Sequence, residues 1–183
     1  MRMGVVVFIV FTILSRCNDS ELRIEYYSSG EKFKEGRVIN GLKEGKWHSW
    51  HENGNKLSES FYKRDTLEGK YLQWFPNGRV QVQAEYNRGK FIGKVERFFE
   101  NGKINSVETY SLPGIPDGEC VIWHESGKVS QKDMYKNGEK DGVWETYYEN
   151  GVLSSISIYR KGVKTGIWKK YTEDGKLVDV DKY

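Results

Sequence analysis

The stretch KEGKWHSWHENG, Lys43 to Gly54, is written again as KDGVWETYYENG, Lys140 to Gly151. The two copies share an acid, a Gly, a Trp two residues on, a second aromatic three further, and a closing Glu-Asn-Gly. A catalytic site is normally built once, so a repeated phrase points to architecture. The same frame recurs along most of the chain. One set of glycines falls at Gly45, Gly69, Gly93, Gly118, Gly142 and Gly166, spaced by 24, 24, 25, 24 and 24 residues. A second set follows nine residues behind each, at Gly54, Gly78, Gly102, Gly127, Gly151 and Gly175. Seventeen residues after each first Gly comes Tyr62, Tyr86, Tyr110, Tyr135, Tyr159 or Tyr183. The single gap of 25 coincides with SLPGIP, Ser111 to Pro116, and reads as an insertion in a turn. A fixed period of this length is the signature of a repeat array, in which each unit is too small to be stable alone.

The segments between the two glycines of a unit are short and rich in Trp, Tyr, Phe and Val, which favours strands over helices. Asn53-Gly54, Asn77-Gly78, Asn101-Gly102 and Asn150-Gly151 read as two-residue hairpin turns, with Asp174-Gly175 and Ser126-Gly127 as variants. A second turn, such as Asn40-Gly41 or Asn137-Gly138, links one unit to the next. Arg88-Gly89 and Lys161-Gly162 are variants of it, and Asp65-Thr66 breaks the pattern. These signals predict an all-β protein, an elongated open antiparallel meander of stacked hairpins. At about two strands per unit and ~4.8 Å per strand the array would run roughly 60–70 Å. The twelve glycines are assigned as structural turn residues.

The plus-two residues (Trp47, Tyr71, Val95, Cys120, Trp144, Trp168) and the plus-five residues (Trp50, Trp74, Phe98, Trp123, Tyr147, Tyr171) differ by an odd number. Either they line opposite faces of the sheet, or a bulge brings them to one. Val80, Ile104, Val129, Leu153 and Leu177 share parity with the Tyr six residues on and are expected beside it. The plus-five row is the candidate binding surface, weighed against a purely structural role in cross-strand stacking.

The first residues differ in kind. Arg2 precedes an apolar run, GVVVFIVFTIL, Gly4 to Leu14, too short to span a bilayer, which needs about 20 apolar residues. Residues 1–16 are therefore expected to be a signal peptide. Leu14-Ser15-Arg16-Cys17 resembles a bacterial lipobox, although Arg16 departs from the small residue expected before the Cys. The resemblance implies lipidation of Cys17 and export to the bacterial cell envelope with a lipid anchor. An ordinary cleaved signal, an uncleaved anchor and a Cys17–Cys120 disulfide are the competing readings. Residues 17–20 form a short spacer, 21–44 a degenerate first unit around Gly30, and 45–183 six further units.

The formal net charge is +3, and loss of Arg2 and Arg16 with the leader would bring it near neutrality. Lys and Glu are interspersed, so no nucleic-acid-binding patch is expected. His51 and His124 share one repeat position with Phe75, Phe99 and Tyr148, which marks them as packing variants and not metal ligands. Cys120 takes a position filled elsewhere by Trp or Tyr, as a small buried residue. The Glu that recurs before the hairpin turn (Glu52, Glu100, Glu125, Glu149, Glu173), replaced once by Pro76, is too regular to be a tuned acid–base group. No catalytic residue, metal site or cofactor is assigned, and the chain is read as a non-enzyme.

The frame Gly-x-Trp-x-x-(Trp/Tyr/Phe)-x-Glu-Asn-Gly, followed by an aliphatic residue, a Tyr and a Gly turn, resembles the variant MORN repeat of bacterial proteins. It is best written in Gly142 to Tyr159 and in Gly166 to Leu177. The resemblance implies a scaffold of stacked hairpins that contacts a protein partner in the envelope, or membrane lipid. An antitoxin label attaches to some proteins of this type, which for an exported chain would mean an immunity-like role. Rings left exposed would raise a glycan or cell-wall ligand as the alternative, since Trp and Tyr also suit sugar rings.

Overall fold

The hairpin phrase folds as a hairpin. In the copy that starts at Lys43, the N–H of His51 donates to the carbonyl of Asn55 at 2.8 Å and that of Gly54 to the carbonyl of His51 at 2.9 Å. Asn53 Oδ1 caps the loop by accepting from the Asn55 N–H at 3.0 Å. Only the Gly of the pair needs the left-handed region: Gly54 has φ 83°, and Asn53 is not among the positive-φ residues. The Asn-Gly turns are thus longer loops than the two-residue turns expected, because Asn acts as a side-chain acceptor and not as a left-handed residue.

The computed structural model describes residues 19–183, which form seventeen strands and no helix. The expected leader at 1–16 and Cys17 lie outside the described residues. The chain divides into two units, the first ending at Lys90 and the second running from Phe91 to Tyr183. The first holds β1 (Ser20–Tyr26), β2 (Lys32–Ile39), β3 (Leu42–Trp50), β4 (Lys56–Lys63), β5 (Thr66–Leu67), β6 (Gly69–Trp74) and β7 (Val80–Asn87). Each pairs antiparallel with the next along the chain in an open meander, with β5 and β6 both facing β4.

The second unit repeats the arrangement. It holds β8 (Lys90–Phe98), β9 (Ile104–Leu112), β10 (Ile115–Pro116), β11 (Gly118–Trp123), β12 (Val129–Lys136), β13 (Glu139–Lys140), β14 (Gly142–Tyr147), β15 (Leu153–Arg160), β16 (Val163–Tyr171) and β17 (Leu177–Lys182). Consecutive antiparallel pairings link them, and β9 and β12 each accept two short partners.

The links between hairpins are the two-residue turns. Asn40-Gly41, Arg88-Gly89, Asn137-Gly138 and Lys161-Gly162 have positive φ at both residues. Arg64 and Asp65, at φ 49° and 61°, make the same turn without a glycine. The break expected at Asp65-Thr66 is therefore absent. Two side-chain contacts hold this turn: Asp65 Oδ1 accepts from the Lys43 N–H at 2.7 Å and Glu44 Oε2 from the Arg64 N–H at 3.0 Å. The extra residue of the 25-residue gap is absorbed where Leu112 pairs with Ile115 but Tyr110 with Pro116, which leaves Ser111 out of register.

Two irregularities per hairpin decide which side chains share a face. Arg37 pairs with Glu44 but Gly36 with Trp47, so Gly45 and Lys46 loop out of the ladder. Gly45 takes φ 75° there, and the whole first glycine row lies between 70° and 108°. Farther on, Gln73 pairs with Val82 but Trp74 with Val80, so Gln81 is an inserted residue. A one-residue insertion reverses parity. Val80 therefore lies opposite Trp74, on the face away from Tyr86, and the same shift recurs opposite Phe98, Trp123, Tyr147 and Tyr171. The expectation that the aliphatic residues sit beside the Tyr row is corrected on this ground.

Candidate functional site

Both faces of the sheet carry aromatic rows. On one face the plus-two residues alternate with the Tyr row. In the second unit Tyr135, Trp144, Tyr159, Trp168 and Tyr183 follow one another at centroid distances of 5.1, 5.4, 5.2 and 5.1 Å, tilted or edge-on as ring quadrupoles prefer. The first unit has Trp47 with Tyr62 and Tyr71 with Tyr86. The indole N–H groups of Trp47, Trp144 and Trp168 donate to the carbonyls of Arg37, Met134 and Ile158 at 3.1, 3.0 and 3.2 Å. Trp47 is fully buried, and Ser49, Ser60 and Ala84 beside it on this face are also buried. This face is structural packing.

The opposite face holds the plus-five row. Trp50, Trp74, Phe98, Trp123, Tyr147 and Tyr171 are all half-buried. Lys32 Nζ stands 5.1 Å over Trp50, and Lys56 Nζ 5.7 Å over Trp74. Two of the rings a sugar would need are thus already faced by ammonium groups of the chain itself. Tyr147 donates its hydroxyl to Glu145 at 2.8 Å, and this carboxylate together with burial pushes the phenol up to about 12.

Where the residue after the plus-five position is His or Tyr, its side chain ties one hairpin to the next. His51 and His124 place Nε2 at 2.9 and 3.0 Å from the carbonyls of Trp74 and Tyr147. Tyr27 and Tyr148 send their hydroxyls at 2.8 Å to the carbonyls of Trp50 and Tyr171. The loops stack in the same way: Asn53 and Asn55 donate to the carbonyl of Pro76, and Asn150 to that of Glu173. Where an acid precedes the first Gly it is also a link: Glu44, Glu68 and Asp141 accept from the turn amides of Arg64, Arg88 and Lys161, and Asp117 from the Ser111 hydroxyl. The repeated phrase is therefore a set of connections from each copy to the next.

Sequence reasoning missed one feature of the plus-five face. Met134, Val143, Ile158 and Ile167 come from four neighbouring strands, with Val143 opposite Ile158 in the ladder. They stay 39%, 46%, 37% and 46% exposed. Their signal was the plus-one and plus-sixteen positions of the frame, where the earlier copies have Lys46, Lys70 and Lys94, and Phe61, Glu85 and Thr109. The side chains of an all-β ladder at these positions have no structural duty, so apolar residues there are informative.

Chemistry-bearing groups do not converge on this face. Among the described residues no group of three or more His, Cys, Asp or Glu is placed to hold a metal ion. Cys120 is half-buried on the ladder face, and burial, with Glu108 and Asp133 nearby, pushes its thiol up to about 11. A thiol so shifted is protonated and unreactive at neutral pH.

Six successive segments of the chain, residues 43–64, 67–88, 92–111, 116–137, 140–161 and 164–180, match the MORN repeat variant. No curated protein matches the chain.

Proposed function

The chain belongs to the MORN repeat variant family, a non-catalytic repeat type that serves as a scaffold for protein or membrane contacts, and on that premise we propose that it is an envelope-associated scaffold that docks a protein partner on the plus-five face of its sheet. The observation that carries this reading is the cluster Met134, Val143, Ile158 and Ile167, exposed on neighbouring strands. Apolar side chains gathered on one surface are the usual mark of a protein contact. Lipidation of Cys17 would hold the scaffold at a membrane and leave this face free. A glycan ligand is less well supported, because lysines already stand over Trp50 and Trp74. An immunity-like role is one form of the same scaffold activity, with the guarded protein as partner.

The test is site-specific photo-crosslinking from Val143 in living cells. The expected result is one protein crosslinked in stoichiometric yield and lost when Ile158→Asp is introduced, with the circular dichroism of the variant unchanged. Retention of purified cell-wall polysaccharide with no protein crosslink would overturn the reading.

A further inference from the structure

On the ladder face of the fourth repeat Cys120, Asp133 and Pro116 meet in space. Cys120 stands where the fifth and sixth repeats place Trp144 and Trp168, and the missing ring leaves a cavity of about 330 Å³. The cavity is lined by Tyr110, Pro116, Cys120, Gln131, Asp133 and Tyr135, among others. Asp133 lies directly opposite Cys120 in the β11–β12 ladder, at a position occupied by Ser60, Ala84 and Ser157 in three repeats and by Glu108 and Asp181 in the other two, of which Glu108 is paired with Arg97 and Asp181 is exposed. Asp133 is 4% exposed. Gln131 donates to Asp133 Oδ2, whereas Oδ1 has no hydrogen-bond partner among the described residues.

A buried carboxylate oxygen without a partner is costly, and the cost is relieved by a donor brought in from outside. Two bordering donors are committed: Tyr110 gives its hydroxyl to Glu108 at 2.7 Å, and Arg97 pairs with the same carboxylate. The cavity therefore offers an acceptor and tyrosine rings, the combination that suits a cation.

The other repeats show which cation. Lys140 Nζ lies 4.0 Å over Trp144 and 4.8 Å over Tyr159; Lys164 Nζ lies 4.1 Å over Trp168 and 5.1 Å over Tyr183. Lys43 does the same over Trp47 and Tyr62. These lysines sit two residues before the first Gly of their repeat, and the fourth repeat has Pro116 there. The ladder thus lacks both a ring and an ammonium at one place, and holds instead an acid with one unpaired oxygen, on which the charge of Lys140 from the next repeat acts without a hydrogen bond.

We propose that this cavity binds an alkylammonium group from another molecule, with Asp133 as its counter-ion, Tyr110 and Tyr135 as its aromatic walls and Ile122 and Pro116 against its methylene stem. The site is on the face opposite the docking surface and stands independently of that reading. The chemistry is shared by a lysine side chain of a protein and by a free polyamine.

Titrating the full-length protein by NMR separates these outcomes, with the amides of Cys120 and Asp133 as reporters. The probes are Nα-acetyl-lysinamide, 1,4-diaminobutane, neutral Nα-acetyl-norleucinamide and N-acetylglucosamine. The expected result is saturable shifts at the cavity with one or both ammonium probes, weakened about tenfold or more by Asp133→Asn, as loss of a charged hydrogen bond requires. Cys120→Trp should block the same shifts by restoring the ladder. Response to the lysinamide identifies a protein side chain as the source, and response to the diamine alone a polyamine. No shift with either, equal shifts with the neutral analogue or the sugar, or undiminished binding by Asp133→Asn would each overturn the proposal.

Discussion

The indole of Trp47 occupies the space a side chain on Gly36 would need: a Cβ built there would lie 2.2 Å from Trp47 Cδ2. The two residues face each other directly across β2 and β3, and the ring is fully buried. Gly36 has no positive φ among the described residues, so its lack of a side chain serves close approach and not turn geometry. Gly36→Ala should therefore cost about 2–3 kcal/mol, as overpacking does. Urea unfolding followed by tryptophan fluorescence would check this, and a loss below about 0.5 kcal/mol, ordinary for an alanine in a strand, would show that the ring has room to move.

Glu44 and Arg64 form a contact of a different kind, a carboxylate accepting from a backbone amide 20 residues later. Glu44→Ala should weaken the array by about 1 kcal/mol, the usual worth of a hydrogen bond to a partly exposed charged group. Hydrogen exchange at the Arg64 amide is the specific readout. It should quicken in Glu44→Ala and recover partly in Glu44→Gln, which keeps the acceptor and loses the charge.

Burial holds the Asp133 carboxyl above its ordinary range, against a smaller opposing pull from the Gln131 hydrogen bond and Lys140. An acid raised in the folded state binds its proton more tightly there than when unfolded, so its ionisation destabilises the fold as pH rises through the folded value. Asp133→Asn should then be more stable than the parent at pH 7, by about 1 kcal/mol. The gap should narrow as pH falls toward about 4, where the unfolded acid also becomes protonated. Thermal melts at several pH values would show it, and a less stable Asp133→Asn at pH 7 would contradict it.

Cys120, pushed up to about 11 by burial first and neighbouring carboxylates second, should alkylate slowly at pH 8. Peptide mapping after iodoacetamide treatment would resolve this residue from Cys17. Labelling should accelerate with pH toward about 11, and it should become fast at pH 8 once the protein is unfolded and the thiol returns to its usual value near 8.5. Fast labelling of the folded protein at pH 8 would mean that the cavity is open and wet.

Much of this was legible in the residues. The period, the strands and the place of each turn follow from local signals, because Gly, Asn and aromatic residues act on the backbone within a few positions of themselves. The role of Glu44, Glu68 and Asp141 before their glycines was visible only as a recurrence, since each partner amide lies 20 residues away. Asp133 escaped notice for a related reason: Glu108 and Asp181 hold the same repeat position, and nothing in the letters says that Asp133 is the one that is buried with an oxygen unpaired.

The order of the hairpins and their antiparallel meander belong to the linear code, written by a 24-residue frame that each copy repeats. Which rings look at one another does not. The looped-out pair formed by the first Gly and its successor, as at Gly45 and Lys46, and one inserted residue in the following strand shift the register, and side chains alternate sides with every residue. A displacement of one position sends a whole row to the other face, so only the paired ladder decided that Trp47 and Tyr62 stack together while Trp50 and Val80 belong to the far side, or that Cys120 opens a cavity above a buried acid.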